Sequence, residues 1–347
     1  MVWIEEAWRR RGPLWWLLLR PLSRLYRCAW ALARRRGAPQ RVGVPVISVG
    51  NLSVGGTGKS PLVRLVAERA RALGLWPAIV LRGYGAAPGP RPLRVSAGRG
   101  PLVDARRSGD EAQEHALASR AQVWLDADRG RGARAAIAAG AGAVILDDGF
   151  QRRRHLARGL DLLLVDFEDL ALGEHLLPAG PWREPWSQAG QADALLLGSV
   201  PRGLARAALW QRLPQAFQGL PLFTLQRRAV GLSRWQDGAR LPLARLHGRS
   251  VLALSGLGRP RAFEDGLRAL GAHPLAWRFP DHHRFTPGQL QAPPADAEAI
   301  VTTAKDAVRL PSAWRPSRPV WILQSDVQVR PARAFAALVD AALKGGG

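Results

Sequence analysis

The sequence predicts an α/β protein, and three observations lead to this fold class. Short apolar runs rich in Val, Ile and Leu alternate along the chain with segments of helical apolar spacing. Hydrophobic residues make up 47% of the 347 positions, which is enough for a substantial core and for two domains. A glycine-rich turn also joins a strand-like run directly to a helix-like run.

The first predicted element is a tryptophan- and arginine-rich segment, residues 1–36. Arg20, Arg24 and Arg27 interrupt its apolar run, which is therefore too short and too charged to span a bilayer, a task for about 20 apolar residues. Arginines at this spacing beside tryptophans are typical of an amphipathic helix that lies in the surface of an anionic membrane. An ordinary amphipathic helix packed on the next domain is the alternative.

The glycine-rich turn is a predicted phosphate-binding loop. Residues 44–49 form a predicted buried strand and residues 62–70 a predicted helix. Residues 53–60 match the pattern G-x-x-x-x-G-K-[ST] except at the first position, where this chain has Ser53 instead of glycine. Backbone N–H groups and the helix N-terminus would face phosphate, and the Ser60 hydroxyl would bind Mg²⁺. The predicted nucleotide-binding residues are Asn51, Val54, Gly55, Gly56, Thr57, Gly58, Lys59 and Ser60.

Lysine is rare in this chain, which makes Lys59 conspicuous. The sequence has 50 Lys and Arg residues, but its only lysines are Lys59, Lys305 and Lys344. A compact ammonium fits between phosphate oxygens in a tight backbone cradle, whereas a guanidinium fork is wider. The retained lysine therefore favours a phosphate-binding role over an incidental glycine-rich turn.

The rest of the predicted core, residues 37–225, continues as alternating strands and helices. Asp147 and Asp148 follow an apolar strand, and parallel strands bring their carboxyl ends to one edge of a sheet, beside the phosphate loop. This position predicts a Mg²⁺ site, with a surface turn as the alternative. Residues 86–107 are predicted to be a long surface loop. The predicted strands are 77–81, 122–125, 143–146, 160–166 and 194–197, and the predicted helices are 110–120 and 132–139.

A smaller α/β domain is predicted over residues 226–347, after a polar linker at 225–248. Asp281, His282 and His283 lie in a turn there. The turn has no nearby cysteine and no third spaced ligand, so a zinc site is disfavoured. Two interpretations remain for the turn: a catalytic or phosphate-contacting histidine, or the capped start of a helix with surface histidines. The predicted strands are 251–256, 275–277, 299–303 and 320–323, and the predicted helices are 260–270 and 331–343.

Composition limits the partners. The net charge of +23 implies an anionic partner, which could be nucleic acid, a membrane face or a phosphorylated substrate. No nucleic-acid-binding motif is present. The single cysteine, Cys28, excludes an intramolecular disulfide and a multi-cysteine zinc site and favours a reducing compartment.

Taken in order, these motifs resemble those of the tetraacyldisaccharide 4'-kinases of lipid A biosynthesis, and the resemblance runs nearly end to end. In that family the loop with Ser53 is usual. The matching motifs are Ser48-Val49-Gly50-Asn51, Gly55-Gly56-Thr57-Gly58-Lys59-Ser60, Arg82-Gly83-Tyr84-Gly85, Gly109-Asp110-Glu111, Asp128-Arg129, Asp147-Asp148-Gly149-Phe150-Gln151, Leu177-Pro178-Ala179-Gly180-Pro181 with Arg183-Glu184, Asp281-His282 and Lys305-Asp306-Ala307-Val308.

The resemblance implies a P-loop NTPase-like core that uses ATP and Mg²⁺ to phosphorylate the 4'-hydroxyl of a lipid disaccharide 1-phosphate. Asp110 would deprotonate that hydroxyl with the help of His282, and Lys59 would neutralise phosphate charge. Ser60 with Asp147 or Asp148 would hold the metal. By their places in the motifs, further candidates to contact substrate or phosphate are Glu111, Arg129, Gln151, Arg183 and Glu184.

The resemblance also implies a peripheral protein on the cytoplasmic face of the bacterial inner membrane, without nucleic acid or an obligate protein partner. The chain departs from the family pattern at Ala112, at Ala304 and in residues 152–155. The alternative function is a P-loop switch or partition-type NTPase at the membrane surface. Guanine specificity is disfavoured because Lys305-Asp306 lacks the intervening residue of the base-reading motif.

Overall fold

The computed structural model describes Trp8 and residues 13–33, 39–54, 58–151, 156–201, 203–281 and 283–345. Its contacts divide the chain into two compact units. The first comprises the described residues from 8 to 226 together with 327–345, and the second comprises residues 227–326. The chain passes between them within two long strands, Leu222–Arg234 and Val320–Arg330.

The first unit is built on a mostly parallel sheet. Its strands are β1 Val46–Gly50, β2 Pro77–Leu81, β3 Leu93–Ala97, β4 Gln122–Leu125, β5 Ala143–Asp147, β6 Leu160–Asp166, β7 Ala194–Gly198 and the first part of β8 Leu222–Arg234. They lie in the order β8-β7-β6-β1-β5-β2-β4-β3, and only β3 is antiparallel to its neighbour. Because β1, β2 and β5 to β7 are buried on both faces, they are continuous apolar runs rather than alternating ones.

Strand β1 is the centre of this sheet. It pairs in parallel with β5 on one side and with β6 on the other, so that Ile47 is opposite both Ile145 and Leu160. The chain fills one side of the sheet with β2 to β5 before it returns to the other side with β6. The carboxyl end of β1 therefore lies at the point where the strand order reverses, which is where open α/β sheets bind ligands.

Helices cover both faces of this sheet. The helices of the unit are α1 Pro13–Ala33, α2 Lys59–Ala72, α3 Ala105–Ser108, α4 Asp110–Ala118, α5 Arg129–Ala138, α6 Phe167–Leu170, α7 Arg206–Arg212 and, at the end of the chain, Ala332–Gly345. Helix α2, α4 and the last helix pack in one hydrophobic core with Ile47 and Val49. Helix α5 packs in a core on the opposite face with Val46 and Val144.

The second unit is a smaller α/β layer. Its strands are β9 Arg240–Leu241, β10 Ser250–Ser255, β11 His273–Arg278, β12 Ala299–Thr303 and the first part of β13 Val320–Arg330, in the parallel order β11-β10-β12-β13. Its helices are α8 Pro260–Ala269, α9 Pro287–Gln291 and α10 Ala304–Ala307. The last helix of the chain, Ala332–Gly345, belongs to the first unit and is numbered α11. Leucine, valine and tryptophan side chains form a core on each face of this layer.

The predicted fold class is confirmed, and two predicted irregular segments are wrong. Residues 86–107 contain β3 and α3, because Leu93 and Val95 are buried and Leu93, Arg94, Ser96 and Ala97 pair with β4, with a register shift at Val95. The linker predicted at 225–248 contains most of β8, all of β9 and a 3-10 helix at Leu243–Leu246, and Leu232 of β8 is opposite Leu241 of β9. Both segments are rich in glycine, proline or arginine, which are typical of loops, so the sequence did not indicate the strands in them.

The N-terminal segment contains a helix, α1, and the end of the chain joins the first unit. Among the described residues no helix is both long and apolar enough to cross a bilayer. Phe335, Val339 and Leu343 of α11 pack in the core of the first unit, although the sequence placed residues 327–345 in the C-terminal domain. Their apolar spacing predicts the helix but not the sheet against which it packs.

Candidate active site

Two glycines shape the loop after β1, one through close packing and one through its backbone conformation. Gly50 ends the strand, and a Cβ there would lie 2.5 Å from Phe150 Cβ. Gly58 has φ +91° and stands immediately before the first residue of α2, a conformation that other residues adopt at a cost. The chain can therefore leave β1 closely packed and enter α2 with Lys59 and Ser60 in the first turn. Gly55, Gly56 and Thr57 lie outside the described residues.

Ser53, which replaces the glycine of the general loop pattern, has a structural partner. Its hydroxyl donates to Asp169 Oδ2 over 3.1 Å, and the residue is buried. Its backbone forms a bridge with Trp182. The serine therefore fixes the phosphate loop to α6 and to the following loop, which a glycine could not do through a side chain.

Lys59 lies in a network of charged and polar side chains. Its Nζ donates to Asp148 Oδ1 over 2.8 Å and to Asn51 Oδ1 over 2.9 Å. Arg183 also binds Asp148 through two hydrogen bonds of 2.8 Å, one to each carboxylate oxygen. It donates to Asn51 Oδ1 as well. The structure thus brings together four predicted residues from four segments of the chain.

The two cations keep Asp148 ionised. Burial by itself would raise the pKa of this carboxyl, but Lys59 and Arg183 outweigh burial and hold that pKa well below its usual range. Burial likewise lowers the pKa of the Arg183 guanidinium, but its hydrogen bonds to Asp148 outweigh burial and the net shift is upward. Asp148 also has φ +51°, an unusual backbone for a residue other than glycine and one that is found at functional sites.

Asp147, the last residue of β5, has a different partner. Its Oδ2 lies 2.8 Å from His115 Nε2, and both side chains are buried. Because an ionised carboxylate only accepts, Nε2 is the donor in this hydrogen bond. Sequence reasoning missed His115. The available signal was a histidine one turn beyond Glu111 on the predicted helix 110–120.

Asp110 and Glu111 occupy the first turn of α4. Gly109 precedes them with φ +77°, and a Cβ there would lie 2.9 Å from the Tyr84 carbonyl oxygen. Carboxylates in a first turn interact favourably with the helix dipole. The same helix carries His115 and is thereby connected to Asp147 at the carboxyl end of β5.

Arg129 and Gln151 surround the same strand ends. Arg129 donates to the carbonyl oxygen of Asp126 over 3.1 Å and to that of Asp147 over 3.4 Å. Gln151 Nε2 donates to the Asn51 carbonyl oxygen over 2.7 Å. Both predicted residues therefore hold main-chain groups of the site.

The loop at 174–184 lies directly against the phosphate loop. The Val54 N–H donates to the Pro181 carbonyl over 2.8 Å, and the Arg183 N–H donates to the Leu52 carbonyl over 2.7 Å. On its other side, Glu184 accepts a hydrogen bond from Trp30 of α1 over 3.1 Å. The two main-chain hydrogen bonds to the phosphate loop place Arg183 within hydrogen-bonding distance of Asp148.

The second unit holds the predicted turn at 281–283 through its own residues. Lys305 Nζ lies 3.4 Å from Asp281 Oδ1. Arg309 donates to the His283 carbonyl over 3.2 Å and forms a buried ion pair of 2.6 Å with Asp306. Asp306 in turn accepts from the Gly256 N–H over 3.0 Å. His282 and residues 152–155 lie outside the described residues.

The oxygen donors at this site suit magnesium. Asp147 and Asp148 offer carboxylates and Ser60 a hydroxyl, and Mg²⁺ is commonly held by one or two carboxylates together with substrate phosphates and water. Among the described residues no group of three or more His, Cys, Asp or Glu side chains could hold a metal ion.

Comparison with known proteins identifies the family. A family model described as Tetraacyldisaccharide-1-P 4'-kinase, LpxK, matches residues 15–344. The chain belongs to this family. The chain is 40% identical to the tetraacyldisaccharide 4'-kinase of Anaeromyxobacter sp. (strain K), over 97% of this chain and 94% of the relative. It is 37% identical to the enzyme of that name from Azotobacter vinelandii, over 97% and 96%.

A solved structure supports the same assignment. The fold resembles that of LpxK from Aquifex aeolicus, crystallised in complex with ATP, with a TM-score of 0.75 and 31% identity. The match covers 94% of this chain and 98% of that chain. The family resemblance expected from the sequence motifs is thereby confirmed.

Proposed function

We propose that the chain transfers the γ-phosphate of ATP to the 4'-hydroxyl of tetraacyldisaccharide 1-phosphate, forming lipid IVA. One observation carries the proposal for the site. Lys59 begins α2 directly after Gly58 and contacts Asp148 next to the carboxyl end of the neighbouring strand β5. Cation, carboxylates and helix N-terminus thus converge where phosphate and metal are handled in P-loop enzymes.

Lys59 acts by exchanging its partners. Its ammonium contacts oxygen atoms of Asn51 and Asp148, and phosphate oxygens offer the same kind of contact with more charge. On phosphate binding, Lys59 turns to the phosphate while Arg183 keeps Asp148 charged and oriented. Phosphoryl transfer has a loose transition state, so positioning and neutralisation of charge account for most of the catalysis.

Asp110 is the proposed base for the acceptor hydroxyl. A carboxylate is a weak base, so Asp110 acts mainly by orienting the hydroxyl and accepting its proton late. Gly109 and the first turn of α4 position its carboxylate. The partnership of His282 with Asp110 stays a prediction from the family resemblance.

Ser60, Asp147 and Asp148 are the residues that would hold Mg²⁺. When bound, the ion supplies positive charge to the phosphate oxygens. His115 holds one oxygen of Asp147, which orients the carboxylate. Glu111, Arg129, Gln151, Arg183 and Glu184 are proposed to shape the phosphate and acceptor sites around these groups.

The exposed face of α1 is proposed to lie on the anionic cytoplasmic face of the bacterial inner membrane. Leu18, Leu22, Leu25 and Leu32 follow helical spacing, and between 49% and 71% of each side chain is exposed. Arg20, Arg24 and Arg27 are exposed on the same helix. Exposed leucines with arginines on a separate face are typical of helices that bind anionic lipid surfaces, and the acceptor is a lipid.

The experiment compares two lysine variants in phosphate transfer. Wild-type protein is given ATP labelled with ³²P at the γ-phosphate and tetraacyldisaccharide 1-phosphate in detergent micelles. We expect labelled lipid with wild type, a loss of about 100-fold or more with Lys59→Ala, and no loss with Lys344→Ala, which removes a lysine in the last helix. Absence of transfer by wild type, or equal rates for the two variants, would contradict the proposal.

A further inference from the structure

Helix α1 has two different faces. Leu19, Ser23, Tyr26 and Trp30 are spaced four, three and four residues apart, and among residues 18–32 only they are partly buried. This spacing places them on one face of the helix. The exposed leucines at 18, 22, 25 and 32 lie on another face. The partly buried residues are called the inner face below.

The inner face binds the loop at 174–184 through specific hydrogen bonds. The Ser23 hydroxyl donates to the Leu176 carbonyl over 2.9 Å and accepts from the Ala179 N–H over 3.2 Å. The Tyr26 hydroxyl donates to the Arg183 carbonyl over 2.9 Å. Trp30 Nε1 donates to Glu184 Oε1 over 3.1 Å. A helix whose only role was to anchor the protein would not require these contacts with Arg183 and Glu184.

Arg183 is thus held from both sides. Its N–H donates to Leu52 of the phosphate loop, and its carbonyl accepts from Tyr26 of α1. Its guanidinium extends to Asp148 and Asn51. Burial raises the pKa of Tyr26, which more than offsets the lowering effect of Arg183. The tyrosine hydroxyl therefore remains a donor at neutral pH and above.

We propose that the inner face of α1 is part of the phosphate site, in which Tyr26 and Trp30 are positioning residues that hold Arg183 against Asp148 and Asn51. Turnover then depends on these two side chains even when no membrane is present. The kinetic part of this inference rests on the proposed function. The structural part does not, because it concerns only the order of the loop at 174–184.

The test uses three variants and a matched control. Tyr26→Phe removes one hydroxyl, Trp30→Phe removes one N–H donor, and a third variant combines both. Trp76→Phe is the control, because Trp76 is also partly exposed, contacts an arginine, Arg71, and lies outside the site. All proteins are assayed with lipid substrate in detergent micelles, and their melting temperatures are compared at the assay conditions.

We expect kcat to fall about fivefold in each single variant and further in the combined variant, with little change in KM for the lipid, because each change removes one hydrogen bond from the loop. Trp76→Phe should leave kcat unchanged. In an Arg183→Ala background the combined change should have no further effect on kcat, because the positioned side chain is gone. A purely structural role would instead give the same fractional loss in both backgrounds.

Hydrogen exchange separates this inference from the proposed function. Amides of residues 176–186 should exchange faster in the combined variant than in wild type or Trp76→Phe, while those of β5 should not change. This result is expected even if wild type transfers no phosphate. Unchanged exchange in that segment, wild-type kcat in the combined variant, or equal losses with and without Arg183 would each overturn the inference.

Discussion

Asp148 is the residue that joins the two cations of the site. Lys59 and Arg183 both bind its carboxylate, and its backbone has a positive φ. Because one carboxylate faces two cations, its charge is retained at a pH where other aspartates are neutral. At the scale of single residues, the site is thus arranged around one carboxylate that remains ionised.

The pH dependence of stability should reflect this. The pKa of the Asp148 carboxyl is lower in the folded than in the unfolded protein, and Asp148→Asn removes this carboxyl. The stabilisation by wild-type Asp148 is therefore fully present above the unfolded-state pKa of about 4. It is lost as pH falls through the lower folded-state pKa. We expect the variant to lose on the order of 1 kcal/mol in urea unfolding, because the pair is partly exposed.

The difference between wild type and Asp148→Asn should be constant from about pH 5 to 8 and should shrink below about pH 4. Asp237→Asn is the control, since Asp237 forms an exposed pair with Arg234. A difference that grew as pH fell would contradict the account of Asp148.

Helix α4 is the element that connects the proposed base to Asp147, a proposed metal ligand. It carries Asp110 in its first turn and His115 on the side that faces Asp147. Gly109 fixes where the helix begins, because its φ is positive and a Cβ at this position would lie 2.9 Å from the Tyr84 carbonyl oxygen. A shift of this helix would therefore move Asp110, the proposed base, together with His115, the hydrogen-bond partner of Asp147.

Two glycine variants test this. Gly140→Ala introduces a side chain at φ +88° in open space, whereas Gly109→Ala introduces one at φ +77° and ψ 161°, a backbone region nearly restricted to glycine, and adds contact with the Tyr84 carbonyl oxygen. We expect Gly140→Ala to cost about 1 kcal/mol in stability, Gly109→Ala to cost more, and only Gly109→Ala to lower kcat, by about tenfold or more. Equal kcat values for the two variants would show that the start of α4 does not position Asp110.

Sequence predicted those elements whose signals are local. The strand, glycine loop and helix around Lys59 are contiguous, and so is the strand that ends at Asp147, so periodicity and motif spacing were sufficient. His115, Tyr26 and Trp30 became visible only in the structure, because their partners lie at least 32 residues away in the chain. Strand β3 was missed because glycine, proline and arginine surround a short run.

At the scale of the whole molecule, net charge and exposed apolar surface are the two features on which the proposed membrane association rests. The net charge is +23, and α1 presents four leucines to solvent while its inner face binds the loop at 174–184. An acyl-chain substrate lies in a bilayer, so a protein bound to that surface meets its acceptor at high local concentration. The same helix is thus proposed to serve both the membrane and the loop at 174–184.

Vesicle binding should depend on the exposed leucines. Leu18→Ser combined with Leu25→Ser should weaken binding to vesicles containing anionic lipid by about tenfold or more, because each leucine buries apolar area in the interface. Binding should also weaken as salt is raised, because the arginines are screened. Leu102→Ser, at a leucine that is 59% exposed elsewhere, is the control, and equal binding by the two variants would contradict a membrane role for α1.

The most direct test of the account is the fate of the phosphate. Wild-type protein is incubated with ATP, Mg²⁺ and tetraacyldisaccharide 1-phosphate, ADP is quantified, and the lipid is analysed by phosphorus NMR. The account predicts one new phosphomonoester at the 4' position for each ADP formed, and no ADP above background without the lipid. ADP formed without phosphorylated lipid would contradict it and would indicate a switch-type NTPase.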